Sequence, residues 1–309
     1  MTFTGKTGIR AASEAVFGSC ARGDIDRLSD RDFLIVDDDP KILRARTRTL
    51  KAEGVSVAAY TFRKLESLAG RGALFVQHLR LEASVIADRD GRLTALLGAF
   101  RPKECYDSEI RDNGRLAGLI GTVPPGAKAE LWAADVLYVT VRNFGVLWLA
   151  GRQRYLFAYD RILEALHEEG ALDTAGVSNL RRLRFLKSLY RGDSAATPGT
   201  VHRKVRSALT GLSHGHFPPR SLTISASEAL AAPAPADGSP AYLQVRDLEK
   251  RMLAAHSLIG DSFDDPALAA LSDWIRDPRA YANLSAARAP ALRAKLLALD
   301  ERTSLARLG

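Results

Sequence analysis

Short apolar runs in the first hundred residues predict a sheet whose strands are separated by helices. Helices are predicted from Pro40 to about residue 52, where proline suits a first helical turn, and over residues 65–81 around a glycine-rich break. Residues 9–17 predict a short helix and then a brief strand. Further strands are predicted at residues 33–36 (FLIV), 55–60 (VSVAAY) and 83–87 (ASVIA). This alternation, which ends near residue 105, indicates a small α/β domain.

The pattern changes to long helical periods after this domain. Residues 109–216 carry almost no strand signal and predict a helical bundle. Residues 217–241 are rich in proline and alanine, which is typical of a linker, and residues 242–309 predict a helical extension. The predicted fold class is therefore α+β over residues 1–108, with a small mixed sheet, followed by an all-helical domain.

Composition places the chain among globular proteins. It has 309 residues, of which 46% are hydrophobic and 26% are charged. Cys20 and Cys105 are too few for a disulfide framework, and the N-terminus lacks the apolar core of a signal peptide. The apolar residues 133–150 are interrupted by polar side chains, so we expect a buried helix and no membrane partner. A reducing, cytoplasmic location is the expectation.

Positive charge is concentrated in the helical half. The net charge of the chain is +8, and residues 181–220 contain nine basic residues and one acid. On a helix, Arg184, Lys187 and Arg191 share one face, opposite much of the apolar set. One interpretation is a surface that binds a polyanion, either the triphosphate of a nucleotide, with Lys187 as a contact, or RNA. The other is a solvated face beside an acidic patch elsewhere in the protein.

Two aspartates precede the apolar FLIV run. Asp30 and Asp32 are two residues apart, so in a strand their carboxylates point the same way and repel each other. A divalent cation, Mg²⁺ or Mn²⁺, that also binds a nucleoside triphosphate would offset this repulsion. Gly18 and Ser19 lie at a turn shortly before, where backbone N–H groups are open to phosphate oxygens.

The order of these motifs resembles the signature of the polymerase-beta-like nucleotidyltransferase superfamily. G-S, A-R-G and S-D-x-D followed by an apolar strand occur here at the spacing typical of that family, and the resemblance covers residues 8–105. It implies that Gly18, Ser19 and Arg22 contact the nucleotide, and that Asp30 and Asp32 are the catalytic metal ligands. The helical half looks like the partner domain, sometimes HEPN-like, that often follows minimal nucleotidyltransferases. Arg206 and His214 are too far apart for the HEPN nuclease pair, so we assign no nuclease activity.

The sequence departs from the family pattern at the third carboxylate. The best-fitting position in the strand 55–60 is Ser56, whose hydroxyl cannot replace a charged metal ligand. Glu53, Glu82 and Asp88 are alternatives only if the sheet brings one of them within reach. Arg31 is also unusual, because its side chain points to the opposite face from the aspartates, where helices normally pack.

The leading expectation is a Mg²⁺-dependent nucleotidyltransferase that moves a nucleoside monophosphate to an acceptor hydroxyl on RNA, a protein or a small molecule. The alternative is a catalytically degenerate nucleotide-binding module of a bacterial defence or toxin–antitoxin system, favoured by the missing acid. An enzyme acting on cationic drugs is disfavoured by the basic helical half. His214 and His216 are interpreted as exposed loop residues rather than a metal site.

Overall fold

A four-stranded mixed sheet lies at the centre of the N-terminal part. The computed structural model describes residues 10–26, 31–191, 217–218, 221–236, 238–260, 263–276 and 288–306. Contacts divide the chain into two units: unit 1 is Met1–Tyr106 with Val146–Ile162, and unit 2 is Asp107–Gly145 with Leu163–Gly309.

The sheet of unit 1 has the strand order β3-β2-β1-β4. Strand β1 runs antiparallel to both of its neighbours, whereas β2 and β3 are parallel and are joined by a crossover helix. The elements of unit 1 are β1 (Ser13–Val16), α1 (Ser19–Arg22), β2 (Asp32–Val36), α2 (Pro40–Ala52), β3 (Ser56–Tyr60), α3 (Phe62–Gly70), α4 (Leu74–Glu82), β4 (Ser84–Asp88) and α5 (Arg92–Ala99).

The apolar run of β2 is buried because helices cover both faces of the sheet. Leu34 and Val36 belong to one cluster, which also contains apolar side chains of α3, α4 and α5. Phe33 and Ile35 belong to the other cluster, with Leu50 of α2. The alternation of side chains along a strand sends successive residues to opposite faces. This explains why a continuous apolar run, rather than an alternating one, marks this strand.

Unit 2 is built almost entirely of helices. A 3₁₀ turn at Leu119–Gly121 precedes β5 (Thr122–Val123), which pairs in parallel with β6 (Leu222–Thr223). Helices α7 and α8 each cross the sequence boundary between the units. The remaining elements are α6 (Asp107–Gly118), α7 (Ala127–Ala150), α8 (Tyr159–Glu168), α9 (Thr174–Arg191), α10 (Ala226–Ala231), α11 (Ala241–Ile259), α12 (Pro266–Arg276) and α13 (Ala289–Ala306).

The coarse prediction of an α+β region followed by a mostly helical remainder is confirmed. The helix predicted over residues 65–81 is two helices, α3 and α4, separated at the glycine-rich break. The predicted linker is different from expectation, because residues 217–241 contain β6 and α10. Ala229 and Leu230 of α10 are buried in a core with Leu248 and Met252 of α11. Proline and alanine content alone did not reveal this packing.

Helix α7 has the length and apolar composition of a membrane span, and 72% of its most apolar window is buried inside the protein. Burial of this kind is typical of the core helix of a soluble protein. The predicted buried helix at residues 133–150 is the C-terminal three quarters of α7.

Candidate nucleotide site

Gly18 and Asp32 meet where β1 passes into α1. The N–H of Phe17 donates to the carbonyl of Asp32 at 3.2 Å, which ties the end of β1 to the start of β2. Gly18 has a φ of 66°, and a Cβ placed on it would lie 3.2 Å from Oδ2 of Asp32. A side chain at residue 18 would therefore require the Asp32 carboxylate to shift by a few tenths of an ångström. Ser19 begins α1 directly after this turn.

Asp30, the other predicted metal ligand, lies outside the described residues. The same holds for Arg203, Lys204, Arg206, Arg220, His214 and His216. Within the described residues, no three His, Cys, Asp or Glu side chains are grouped as a metal site.

Ser56 occupies the sheet position beside Asp32. The two residues are register partners in the parallel pair β2–β3, and the N–H of Ser56 donates to the carbonyl of Arg31 at 2.9 Å. Partners in adjacent strands present their side chains on the same face, so the Ser56 side chain is next to that of Asp32. Ser56 is exposed. The position expected to carry a third carboxylate therefore carries a hydroxyl.

Asp88 lies at the opposite end of the sheet. It is the register partner of Ser13, whereas the site end of β1, Val16, pairs with Ser84. The Asp88 carboxylate accepts hydrogen bonds from the Ser13 hydroxyl at 2.7 Å and the Thr94 N–H at 2.8 Å. Burial opposes ionisation, but these hydrogen bonds outweigh it and lower the pKa of Asp88. Asp88 anchors the start of α5 and does not join Asp32.

The structure also places Glu53, an alternative for the third acid, and Arg31, whose position in the sequence was unusual. Glu53 is exposed and ends α2, a helix that packs on the face of the sheet opposite to the Leu34 side. Arg31, directly before β2, is exposed. Asp38, which follows β2, forms an ion pair with Arg92 at 2.9 Å.

Glu82 is the predicted alternative acid that lies at the site end of the sheet. It ends α4, two residues before Ser84. Its carboxylate forms an ion pair with Arg22 of α1 and a 2.9 Å contact with Nε2 of His78. Burial alone would raise the pKa of Glu82, but the hydrogen bond and charge of His78, together with Arg22, lower it. Glu82 is thus an ionised partner of Arg22.

His78 has no counterpart in the sequence analysis. It is 8% exposed and sits one helical turn before Glu82. The spacing of four residues places His78 and Glu82 on the same side of α4, which was the available sequence signal. A pair of this kind is common on helices, so the spacing alone carried no functional meaning.

The basic face predicted on α9 is partly turned inward within unit 2. The ammonium of Lys187 lies 4.7 Å from the ring centroid of Tyr138. Nε of Arg191 lies 3.0 Å from Oδ1 of Asp135, which is completely buried. Lys187 and Arg191 therefore lie on the same side of α9 as its buried residues, which include Leu183 and Tyr190. Phe185, an apolar residue of the same helix, is 47% exposed.

Comparisons of the chain with protein-family models, with curated proteins and with solved structures found no match.

Proposed function

We propose that unit 1 binds a nucleoside triphosphate together with a divalent cation and transfers the nucleoside monophosphate to an acceptor hydroxyl. The observation that carries this proposal is the Asp32 carboxylate beside the side-chain-free Gly18 turn. Phosphoryl and nucleotidyl transfer depend on positioning and charge neutralisation. The carboxylate can hold a cation that neutralises charge, and the backbone N–H groups of the glycine turn can position the phosphates.

The donor chemistry of this corner fits Mg²⁺ or Mn²⁺. Asp32 supplies a hard carboxylate oxygen, which these ions prefer, and the space above Gly18 would be filled by any Cβ. Asp30, two residues earlier, is the proposed second ligand. When bound, the cation neutralises charge on the phosphate oxygens.

The turn and helix α1, which follows it, supply the proposed contacts to the nucleotide. Gly18 lets phosphate oxygens approach the backbone, and the Ser19 hydroxyl is a donor directly after it. Arg22 lies at the end of α1, where its guanidinium can form paired hydrogen bonds with phosphate. Lys187 is in unit 2 with its charge over Tyr138, and its role as a nucleotide contact stays a prediction.

The acceptor is proposed to be a macromolecule, RNA or protein, because positive charge is concentrated in the helical half. The described part of that half offers less charge than its sequence, since Arg191 is paired with Asp135 and Arg181 with Glu164. A cytoplasmic location, where triphosphates are abundant, goes with this proposal.

Ser56 favours a second candidate function. With a serine in register with Asp32, β3 supplies no carboxylate, whereas the nucleotidyltransferase superfamily uses acids from two strands. A degenerate module that binds nucleotide without transferring it, within a defence or toxin–antitoxin system, is the alternative.

Label transfer separates the two functions. The protein is incubated with α-labelled nucleoside triphosphates, Mg²⁺ or Mn²⁺, and RNA, protein or small-molecule acceptors. We expect transfer that Asp32→Asn abolishes, while Asp90→Asn, an exposed acid in the turn after β4, leaves it unchanged. Nucleotide binding without transfer under either metal would instead establish the binding module.

A further inference from the structure

Arg22 is held from two sides beside the Gly18 turn. Its backbone N–H donates to the carbonyl of Gly18 at 3.0 Å, so it lies one helical turn beyond the glycine. Its Nε donates to Asp24 at 3.0 Å, and its Nη1 forms an ion pair with Glu82. Among the described residues, these contacts engage Nε and Nη1 of the guanidinium. The side chain keeps 27% of its surface exposed, so the held group still faces solvent.

Glu82 is itself held by His78. The two side chains are mostly buried, with 14% and 10% of their surfaces exposed, and His78 Nε2 lies 2.9 Å from Glu82 Oε2. A carboxylate accepts hydrogen bonds and cannot donate them, so Nε2 is the donor and carries the proton. Glu82 therefore has one oxygen fixed between a histidine and an arginine.

Two aromatic rings fix His78. Phe157 stacks on it with ring centroids 4.3 Å apart and an interplanar angle of 18°. Phe17 meets it edge-on at 5.4 Å. Phe17 is also the residue before Gly18. The contacts from Phe17 through His78 and Glu82 to Arg22 thus begin and end against the same turn.

Stability alone does not explain why the Arg22–Glu82 ion pair is held by His78 and two aromatic rings. Surface pairs of Arg and Glu contribute little stability, because solvent screens them and two long side chains must be ordered. An arginine that is already ordered before its ligand binds loses less conformational entropy on binding, so binding costs less free energy. The planar guanidinium is the group best suited to phosphate oxygens.

We propose that Glu82 and His78 are positioning residues that hold the Arg22 guanidinium for the triphosphate of the nucleotide. This inference rests on the proposed function. It gives the alternative acid Glu82 a different role from metal binding, and it gives His78 a role that the motifs did not suggest.

The test compares the wild type with Glu82→Gln, His78→Gln and Arg22→Gln by calorimetric titration of each nucleoside triphosphate with Mg²⁺, and by transfer kinetics. We expect Glu82→Gln to raise Kd and KM about tenfold while kcat changes less than about threefold, because binding and not chemistry is affected. Glu66→Gln, which removes another carboxylate paired with an arginine in unit 1, is the matched control and should leave Kd unchanged.

A double variant, Arg22→Gln with Glu82→Gln, should bind no more weakly than Arg22→Gln alone, because Glu82 acts through Arg22. Additive losses, or an unchanged Kd in Glu82→Gln, would overturn the positioning role and leave the proposed function intact. A wild type that binds no triphosphate would overturn both. Circular dichroism checks each fold, and Glu82→Asp, which keeps the charge on a shorter side chain, provides a second comparison with a smaller expected rise in KM.

Discussion

Gly18 shows at the scale of one residue how the candidate site depends on a missing side chain. Its left-handed φ is strained for other residues, and a Cβ there would press on Oδ2 of Asp32. Gly91 also has a positive φ, 67°, but its ψ is 7°, and a Cβ on it would have no neighbour within 4 Å. The two glycines therefore share a positive φ and differ in ψ, which is −143° at Gly18, and in what lies beside them.

We expect Gly91→Ala to lower the free energy of unfolding by about 1–2 kcal/mol, because it forces alanine into the left-handed helical region. Gly18→Ala should lower it by more, because a φ of 66° with a ψ of −143° is more strongly strained for alanine. Urea unfolding measures this. Only Gly18→Ala should also weaken nucleotide binding and transfer, since it displaces Asp32. Equal nucleotide binding by the two variants would show that the space above Gly18 is not used.

Lys250 is a second residue whose environment makes a prediction. It is buried on α11, and its ammonium donates to the Leu119 carbonyl at 2.9 Å and to the Thr122 hydroxyl at 2.6 Å. Burial lowers the pKa of Lys250 from 10.5 to about 8. Between these two pH values the unfolded chain binds the proton more tightly than the folded chain does.

Stability should accordingly rise with pH between about 8 and 10.5, by up to about 3 kcal/mol from Lys250, because the folded state loses its buried charge first. Denaturant titrations at pH 7.5, 9 and 10.5 measure the effect. Lys250→Met should remove this part of the pH dependence, whatever its effect on stability at pH 7.5. An identical pH slope in wild type and variant would contradict the assignment.

At the scale of elements, the register between β2 and β3 decides what the site contains. It places Ser56 beside Asp32, whereas Ala59 pairs with Ile35 and faces the other side of the sheet. Both residues are exposed, so each can be replaced without opening the core. Strand β3 therefore offers a test of the missing carboxylate.

Ser56→Asp should raise Mg²⁺-dependent label transfer about tenfold or more, because it adds a carboxylate on the metal-binding face of the sheet. Ala59→Asp, with the same charge on the opposite face, should have no such effect. A Ser56→Asp variant that binds nucleotide but transfers no faster than wild type would show that the missing third carboxylate does not belong at position 56.

At the scale of the whole molecule, buried charge joins parts of unit 2 that the sequence separates. Arg246 of α11 is completely buried and lies 2.9 Å from Asp135 of α7 and 3.1 Å from Glu249. Glu249 also accepts hydrogen bonds from Tyr190 of α9 and from the Trp132 indole. Residues of the predicted bundle and of the predicted C-terminal extension thus share one network.

We expect Asp135→Asn to lower the free energy of unfolding by about 3–5 kcal/mol, because it leaves Arg246 with less compensating charge in a buried site. The control is Asp112→Asn, whose pair with Arg115 is exposed and should cost less than about 1 kcal/mol. Guanidinium unfolding monitored by tryptophan fluorescence gives both values. Equal losses in the two variants would mean that the network does not stabilise unit 2.

Sequence reasoning succeeded where a property is local. The FLIV run, the proline at the start of α2 and the glycine before Ser19 each depend on neighbouring residues, and the structure has β2, α2 and the turn at these places. Ser56, chosen as the position for the expected third carboxylate, is the register partner of Asp32 in the structure. The metal and nucleotide at this corner remain predictions, and Asp30 lies outside the described residues.

The sequence by itself determined the four strands of the sheet, helix α2 and the acid–glycine motif, because side-chain period and backbone freedom are properties of a few adjacent residues. Only the tertiary structure decided that Asp88 faces the far end of the sheet, that Glu82 reaches Arg22, and that Arg246 meets Asp135. The physical reason is that each of these contacts joins segments far apart in sequence. Packing of the sheet and helices, rather than any local pattern, sets which charges become neighbours.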